Sequence, residues 1–399
     1  MKNNESSSYS IRIIDNFEEM NEIVPYWSKH SRHPNADYDY YKKVIESSGS
    51  EMKPKLLLIF KDDNPVLLVV GRLENHRFDC KFGYKTVYSP NVKTFVVIYG
   101  GIIGDVSEET CEIFLEEIMK LLKRGEAELL MLSNIPLEGA LYKVTSSSKY
   151  ALLRDKSPVE STHWQMKMPE SMDEFLKARS SKHRYWLKRM DQQLEKDYRG
   201  NIEIKRFSKE EDIVILCKDA ELVAKKTYQR ELDAGFIDNE KMRCILSLLA
   251  DKDLLRTYIL YLNSEPCAFW IGNKYKDVFH LSYTGYDPRY KKYELGTILF
   301  MRMLEDLCSD GTIKTMDFGF GDALYKSRFG DLKWHEASVY IYPLNLKGIK
   351  LKMIRYCVSQ SYQYSVDILK KFNLLEKVKR TWRDKLIERK ENDVKINEG

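Results

Sequence analysis

The chain has 399 residues, with 65 basic and 60 acidic side chains and a net charge of +5. Hydrophobic residues make up 43% and aromatic residues 12% of the sequence, which is enough apolar surface to build folded cores and excludes a disordered chain. The charge is too nearly balanced to indicate a nucleic-acid-binding protein, and the length favours two domains.

The sequence has neither a long apolar segment nor paired cysteines. Its apolar runs fall short of the roughly 20 residues that a membrane helix needs, and the first ten residues are polar. The seven cysteines are far apart and lack CxxC or Cys/His spacing; they are Cys80, Cys111, Cys217, Cys244, Cys267, Cys308 and Cys357. We therefore expect a cytoplasmic protein with buried, reduced thiols, no disulfide and no metal.

Two segments predict the same series of elements. Apolar residues 55–60 and 66–71 flank a turn and predict a β-hairpin, and residues 254–262 and 267–272 repeat this pattern. In each segment a strand, an amphipathic helix and a further strand follow, with a glycine ending the helix. The strands lie at 94–101, 128–132, 278–285 and 312–318, and the helices run from Glu108 to Gly125 and from Leu295 to Gly311. The repetition indicates a duplicated unit.

A long helix is predicted between the two segments. It begins at Ser171, and Glu174 follows at the spacing of a capping box. Residues 177–189 of this helix are rich in lysine and arginine, which form either a functional basic face or an ordinary solvated surface. Two further helices, at 212–226 and 239–249, lead into the second hairpin.

These patterns predict an α/β (α+β) protein in which each domain is a mixed, twisted sheet flanked by helices. We expect a first domain at 1–165, a second at 166–345, and basic helices with a tail at 346–399. The charged run 380–395 favours a solvated helix face, and contact with an anionic membrane surface or an acidic partner is the alternative.

The strand at 280–286 leads through a basic loop into the helix that starts at Leu295. A helix N-terminus has free N–H groups, Gly296 lets a ligand approach the backbone at Thr297, and Arg289 adds positive charge. This arrangement predicts a pyrophosphate site, although an ordinary strand-to-helix turn has the same pattern. The counterpart in the first segment, residues 104–107, is acidic, so we expect phosphate binding in the second segment alone.

The strand that contains Asp317 ends in two glycines, which suit a chain passing close to a ligand. Asp317 is a candidate base or a brace for the turn. Tyr325 is a candidate proton donor or a half-buried aromatic side chain, and Lys326 is a candidate anion-binding cation or a surface charge.

Residues 180–329 resemble the acyltransferases of the CelD/BcsL type, a branch of the GNAT superfamily whose tandem halves also resemble the FemABX transferases. The first half of the chain resembles the degenerate GNAT-like unit of such proteins by its layout. The matching motifs are Ser181-Lys182-His183-Arg184, Gly285-Tyr286-Asp287, Leu295-Gly296-Thr297, Asp317-Phe318-Gly319 and Tyr325-Lys326.

The resemblance implies that an acyl-CoA, such as acetyl-CoA, lies along the strand with its pyrophosphate at Gly296 and Thr297. The implied donor-binding strand residues are Ser282, Tyr283, Thr284 and Gly285. The usual GNAT signature has Arg or Gln, then Gly, then Gly or Ala, whereas this chain has Tyr293, Gly296 and Ile298. This departure leaves an aminoacyl-tRNA donor, as in Fem-type relatives, open.

Direct transfer in such an enzyme needs a base, an acid and donors that polarise the thioester carbonyl. His280 or Asp317 is the candidate base, Tyr325 the candidate acid, and the amides near Tyr283 the polarising donors; a histidine that serves only the sheet is the alternative for His280. Arg184 and Lys326 are candidates for binding an anionic group of acceptor or donor.

The implied function is N- or O-acyl transfer, in the simplest case acetyl transfer, to a sugar, amino sugar or polysaccharide precursor. The alternatives are a FemABX-like aminoacyl-tRNA-dependent transferase and a catalytically degenerate binding protein.

Overall fold

A computed structural model gives the fold and describes residues 8–83, 85–156, 158–227, 230, 235–321, 323–372, 374 and 381. The chain divides into two units. The first unit combines Met1–Ser161 with His335–Gly399, and the second consists of Thr162–Trp334. Along the chain, the second unit is therefore inserted into the first.

Strands and helices alternate along both units. The strands are β1 (Tyr9–Ile14), β2 (Met52–Lys61), β3 (Asn64–Arg77), β4 (Cys80–Phe82), β5 (Lys85–Tyr88), β6 (Asn91–Gly104), β7 (Leu129–Pro136), β8 (Val159–Lys167), β9 (Ile202–Phe207), β10 (Leu255–Leu262), β11 (Glu265–Tyr275), β12 (Val278–Tyr286), β13 (Thr315–Phe320) and β14 (Leu332–Ile341). The α-helices are α1 (Phe17–His30), α2 (Tyr38–Glu46), α3 (Glu108–Lys123), α4 (Ala140–Ser146), α5 (Ser148–Ala151), α6 (Met172–Lys177), α7 (Ser181–Asp197), α8 (Ile213–Ala224), α9 (Glu240–Asp251), α10 (Leu295–Asp310), α11 (Leu324–Phe329) and α12 (Leu346–Lys371).

The first unit is built on a mixed sheet in the order β1-β2-β3-β6-β7-β14. Its pairs are antiparallel except β6–β7, which is parallel. Helix α3 buries Phe114 and Ile118 against one face of the sheet, and α1 and α2 bury Trp27 and Tyr41 against the other. Each face is thus closed by apolar helix stripes, as the 3.6-residue periodicity of α3 predicts.

The second unit repeats this plan with the order β9-β10-β11-β12-β13-β8. Its pairs are again antiparallel except the parallel pair β12–β13. Helix α10 buries Leu299, Phe300 and Met303 in the main core of this unit. The predicted α/β architecture, with mixed β-sheet flanked by helices in each unit, is confirmed.

The two predicted hairpins have the same turn. Asp62 and Asp63 join β2 to β3 with φ of 48° and 64°, and Asn263 and Ser264 join β10 to β11 with φ of 51° and 65°. Two consecutive residues with positive φ are typical of the type I′ turn, whose twist matches that of the strands. Both hairpins also have a register shift close to the turn. These shared details support a duplicated unit.

The two predicted helices after the hairpins are present as α3 and α10. Gly125 follows α3 with φ of 75°, and Gly311 caps α10 with φ of 66°. The left-handed conformation suits glycine, which lacks the Cβ that would clash there. The prediction that these glycines end the helices is confirmed.

The single long helix predicted from Ser171 is wrong. The structure has two helices instead, α6 and α7, separated by Ala178, Arg179 and Ser180. The hydroxyl of Ser180 accepts a hydrogen bond of 3.3 Å from the amide of His183 and so caps a new helix. The sequence signal for this break was a second serine N-cap inside an otherwise helical pattern.

The cysteines differ in exposure. Cys80, Cys111, Cys217 and Cys267 are buried, whereas Cys357 on α12 is exposed, so the prediction of buried thiols is wrong for Cys357. In the described part of the chain, no helix is long and apolar enough to cross a membrane. The charged run 380–395 lies outside the described residues apart from Thr381.

Candidate active site in the second unit

The parallel strands at the centre of the second unit separate part-way along their length. β12 and β13 pair through three residues each, and the last pair is His280 with Asp317. Beyond it, β12 continues to Tyr286 along β11, and β13 continues to Phe320 along β8. Both strands are described in full, and the ladder between them does not continue. This leaves a cleft whose narrow end is marked by His280 and Asp317.

The buried carboxylate of Asp317 is the centre of a polar cluster. Nε2 of His163 donates to its Oδ1 at 2.7 Å, and the side-chain amide of Gln165 donates to its Oδ2 at 3.1 Å. The backbone N–H of Gly319 donates to Oδ1 at 2.7 Å. Nδ1 of His280 lies 3.6 Å from Oδ2, which is an electrostatic contact beyond hydrogen-bond length.

These partners keep Asp317 ionised. Burial raises the pKa of this carboxyl, but the hydrogen bond from His163 and the attraction of both histidines outweigh it and lower the pKa to about 2. An ionised carboxylate only accepts hydrogen bonds, so Nε2 of His163 carries a hydrogen. The ring of His163 also stacks on Trp334, with ring centroids 4.2 Å apart. His163 and its neighbours therefore hold a negative charge at the narrow end of the cleft.

His280 is 7% exposed, and burial lowers the pKa of its imidazole to about 4 although Asp317 acts in the opposite direction. The imidazole is therefore neutral at pH 7. A neutral imidazole has one nitrogen that can accept a proton. The charge of Asp317 would stabilise the imidazolium that results. The two residues proposed as alternative bases from the sequence are thus adjacent.

Sequence reasoning missed His163 and Gln165. They lie on β8, and His163 precedes Asp317 by 154 residues. The alternation His163-Trp164-Gln165-Met166 is typical of a strand with one polar face, and this signal could have identified β8. The expected domain boundary at residue 165 fell inside this strand and hid the pattern.

The predicted donor-binding strand borders the cleft just beyond His280. Ile271 pairs with Tyr283 and Gly272 with Leu281, so Ser282 is an extra residue in β12 and forms a β-bulge. Bulges bend a strand and redirect its backbone groups, and they are common beside active sites. The predicted residues Ser282, Tyr283, Thr284 and Gly285 all lie on this part of β12.

The start of α10 has open space beside Gly296. A Cβ at this position would meet its nearest neighbour, Cδ1 of Tyr286, at 3.9 Å. The carbonyl of Gly296 accepts a hydrogen bond of 3.0 Å from Nε1 of Trp270, which fixes the helix start to β11. The Thr297 amide bonds to the carbonyl of Glu294 at 2.8 Å. The start of this 16-residue helix therefore has room for a ligand beside Gly296, whereas the Thr297 amide is already bonded within the helix.

Arg289 is held by an ion pair. Its guanidinium donates to Oδ2 of Asp287 at 2.7 Å and 3.0 Å, and Lys226 donates to the same oxygen at 2.9 Å. Burial raises the pKa of Asp287, but the hydrogen bonds from Arg289 and Lys226 lower it to about 2. Asp287 is therefore charged, and the orientation of Arg289 is set by this carboxylate.

Tyr325 and Lys326 lie on α11 with different surroundings. The ring of Tyr325 packs edge-on against Trp270 and Phe318, with centroids 5.2 Å and 6.1 Å away. The ammonium of Lys326 is buried and donates to the carbonyl of Phe320 at 2.6 Å. Lys326 thus connects α11 to the end of β13.

Arg184 lies on α7 and lines a groove between α6, α7 and α10 with a volume of about 450 Å³. Thr297 and the apolar side chains of Leu187 and Met301 line the same groove. The guanidinium of Arg184 donates to the carbonyl of Arg179 at 2.6 Å. The structure therefore brings Arg184 and Thr297 to one groove, whereas His280 and Asp317 form the cluster at the strand separation.

The parallel pair of the first unit also ends part-way along its strands, and its last residue pair is apolar. The parallel pair β6–β7 ends with Val97 opposite Leu132, both of them buried, although β6 continues to Gly104. Apolar side chains thus occupy the positions that His280 and Asp317 hold in the second unit.

Comparisons with known proteins agree with this geometry. Residues 181–327 match the model of the family described as "Acetyltransferase (GNAT) domain". This part of the chain is therefore similar to that family. The match indicates an acyltransferase and covers the motifs from the basic helix to Lys326. No curated protein sequence matches the chain.

Several solved structures are similar to this chain at low sequence identity. The crystal structure of FemX has a TM-score of 0.57 and 10% identity, covering 85% of this chain and 99% of that one. A tandem GNAT protein from the clavulanic acid biosynthesis pathway has a TM-score of 0.49 and 8% identity, covering 84% and 98%. L-PGS from Bacillus licheniformis has a TM-score of 0.48 and 11% identity, covering 86% and 97%. The FemX match supports a GNAT/FemABX-like fold.

The described residues contain no group of three or more His, Cys, Asp or Glu side chains that could hold a metal ion.

Proposed function

We propose that the second unit transfers an acyl group from an acyl-CoA, acetyl-CoA in the simplest case, to an amine or hydroxyl of a sugar, amino sugar or polysaccharide precursor. The observation that carries this proposal is the cleft between β12 and β13, with neutral His280 and ionised Asp317 at its narrow end. The GNAT-type domain at 181–327 supports acyl transfer. The acceptor class rests on the resemblance to CelD/BcsL acyltransferases.

The cleft and the start of α10 have the features that such a donor needs. An acyl-CoA would supply the thioester whose C–S bond breaks. The edge of β12 around the bulge at Ser282 presents backbone N–H groups that can polarise a carbonyl. The pyrophosphate would lie beside Gly296 and Thr297 at the helix N-terminus, where the dipole and the open space at Gly296 favour an anion.

The candidate base and the candidate acid lie on opposite faces of the sheet. Phe279 and Met316 point into the core that contains α10, so their neighbours His280 and Asp317 point to the other face. Tyr325 packs on the α10 side. In this proposal His280 takes the proton from the acceptor as the new C–N or C–O bond forms, and Tyr325 protonates the departing thiolate. Asp317, held by His163, stabilises the imidazolium.

Calorimetric titration with acetyl-CoA and CoA tests the donor site. Gly296→Glu places a carboxylate at the proposed pyrophosphate position and should abolish binding. Gly296→Ala is the matched control, since its Cβ has room, and should bind nearly as well as the original protein. An acidic residue in the first helical turn is favourable, so both variants should keep the original melting temperature. Absence of binding by the original protein, or equal binding by Gly296→Glu, would refute the acyl-CoA proposal.

An aminoacyl-tRNA donor is the second candidate, and the exposed basic face of α7 favours it. Lys182, Arg184, Lys188 and Arg189 are all exposed on this helix. Positive side chains that neutralise phosphates give an affinity that falls steeply with salt. Filter binding of tRNA at two salt concentrations, with Lys188→Glu/Arg189→Glu as the test variant, separates this candidate from the first. Salt-dependent binding that this variant loses, together with no heat from CoA, would favour the tRNA-dependent reaction.

A turnover assay distinguishes an active enzyme from a catalytically degenerate binding protein. Release of free CoA from acetyl-CoA in the presence of amino sugars should be detectable by a thiol reagent and should be lost in His280→Gln. Binding of CoA without any acceptor-dependent release would support the binding protein instead.

A further inference from the structure

The first unit contains a pocket of about 370 Å³ between the segment 152–156, the end of β14 and the start of α12. Its walls include the apolar side chains of Leu153, Pro343, Ile349 and Met353. The volume lies at the small end of the range of about 300–1,000 Å³ that is typical of ligand sites. The pocket belongs to the unit that lacks the polar cluster, so acyl transfer does not account for it.

Exposed apolar side chains surround the pocket. Leu152 is 76% exposed and Leu344 77% exposed, and both line it. Ile349 and Met353, one turn apart on α12, are about half exposed. A cluster of apolar residues in contact with water at a concave site is typical of a surface that binds an apolar group.

Two lysines give the pocket a positive end. Lys156 and Lys352 both line it, and Lys352 donates to the carbonyl of Leu152. Burial and repulsion from Lys156 lower the pKa of Lys352, against the attraction of Asp155. The carboxylate of Asp155 is already engaged, since it accepts from the amide of Tyr340 at 3.1 Å and lies 3.8 Å from Arg355. The surroundings of the two lysines therefore favour an additional anion.

A buried hydroxyl lies in the pocket wall. Tyr342 is 2% exposed, and within the described residues its hydroxyl has no hydrogen-bond partner. Burying a polar group without a partner costs free energy, and native proteins rarely do so. Tyr342 lines the same pocket as the two lysines. An oxygen of a bound ligand would supply the partner that this hydroxyl lacks.

We propose that this pocket binds a single-chain amphiphile with an anionic head group. The chain would lie against Leu153, Ile349 and Met353, and the head group would bind Lys156, Lys352 and the Tyr342 hydroxyl. Carboxylate and phosphate head groups both suit two ammonium groups and a hydroxyl donor. This site is separate from the proposed transfer reaction and does not depend on it.

Calorimetric titration of the full chain with dodecanoate, dodecyl phosphate and dodecanol tests the proposal. We expect saturable binding of at least one anionic amphiphile and binding of dodecanol weaker by about tenfold or more, because the neutral head group lacks charge-assisted hydrogen bonds. The stronger of the two anions identifies the head group. Lys156→Gln and Lys352→Gln should each weaken the anion by about tenfold, since each removes one charged donor.

Three further variants separate the pocket from the surface around it. Ile349→Trp fills the pocket from a half-exposed position that should not disturb folding, and it should abolish binding. Tyr342→Phe removes a hydroxyl that has no protein partner, so it should weaken binding without lowering the melting temperature. Lys350→Gln changes an exposed lysine of the same helix that does not line the pocket, and should bind like the original protein.

Three outcomes would overturn the proposal: no binding of either anion by the original protein, equal binding of dodecanol, or binding that Ile349→Trp leaves unchanged. Attachment to phosphatidylglycerol vesicles that Tyr342→Phe and Ile349→Trp do not alter, without binding of the free amphiphiles, would also overturn it and indicate a membrane-contact surface.

Discussion

Nε2 of His163 donates a hydrogen bond of 2.7 Å to Oδ1 of Asp317, and both side chains are buried. The bond joins β8 to β13 beside the point where β12 and β13 separate. A buried charge is costly unless its partners remain in place, so the loss of either residue affects the other. The pair therefore connects the stability of the second unit with the protonation chemistry proposed for His280.

Asp317→Asn tests this connection. Asparagine keeps the shape of the side chain but removes the negative charge that stabilises a protonated His280. We expect kcat for acyl transfer to fall by about 100-fold or more, within the range of acid–base contributions, with a smaller change in KM. Steady-state kinetics give both values. Glu203→Gln, which removes an exposed carboxylate on β9, is the control and should leave both unchanged. A normal kcat in Asp317→Asn would contradict the proposed role.

Because burial lowers the pKa of His280, we expect the stability of the folded protein to depend on pH. Its pKa is about 4 in the folded protein, against 6.5 for an unperturbed histidine, so between these limits the unfolded chain binds more protons. The stabilising contribution is complete above pH 6.5 and is lost as the pH falls to 4. The shift corresponds to about 3 kcal/mol.

Urea unfolding from pH 7 to pH 4 measures this effect. The stability of His280→Gln should fall less over this range than that of the original protein. His335→Gln, which changes an exposed histidine, should follow the original protein. Parallel curves for His280→Gln and the original protein would contradict the assignment.

The duplicated hairpins, the helices α3 and α10 and their glycine caps could be predicted because each depends on local patterns of apolar residues and turn residues. The break between α6 and α7 was missed because the residues around Ser180 remain compatible with a helix. The partnership of His163 with Asp317 could not be predicted, since it depends on which strands pair across 154 residues. Spacing along the sequence contains little information about such a pairing.

The candidate site follows the same division. His280, Asp317 and the start of α10 were identified from the sequence because they follow strands or open a helix. The sequence does not show which groups surround Arg289 and Lys326. Both could be chosen as cations, but only the fold shows that Asp287 and the Phe320 carbonyl already bind them.

Gly104 in the first unit lies where a side chain would collide with its neighbours. It has φ of 109°, and a Cβ there would lie 2.2 Å from the hydroxyl of Tyr26 and 2.3 Å from the carbonyl of Val66. Those two groups are joined by a hydrogen bond of 2.6 Å, which Gly104→Ala should break. We expect destabilisation larger by about 2 kcal/mol than in Gly125→Ala.

Gly125→Ala is the matched control because Gly125 also has positive φ, 75°, but its Cβ would meet nothing within 4 Å. It should show only backbone strain of about 1–2 kcal/mol. Urea unfolding gives the free energy of unfolding of both variants. Equal losses of stability would show that the surroundings of Gly104 shift and relieve the collision.

The two units should differ when they are produced as fragments. Residues 162–334 contain every strand from β9 to β13 and most of β8, whereas residues 1–161 lack β14 and leave the edge of β7 open. Open strand edges promote aggregation. We expect the 162–334 fragment to be monomeric by size-exclusion chromatography and the 1–161 fragment to aggregate. A monomeric, folded 1–161 fragment would show that β14 is dispensable.

The position of β14 also affects how the protein folds while it is being made. The ribosome releases the chain from its N-terminus, so β1 to β7 emerge before their sheet can be completed by β14, the last strand among the described residues. The sheet of the second unit has all its strands by residue 320. The unit that carries the proposed chemistry can therefore complete its sheet earlier in synthesis than the unit that begins the chain. Once residues 1–331 have left the ribosome, the chain would already have the cluster of His163, Asp317 and His280, while the edge of β7 would still be open.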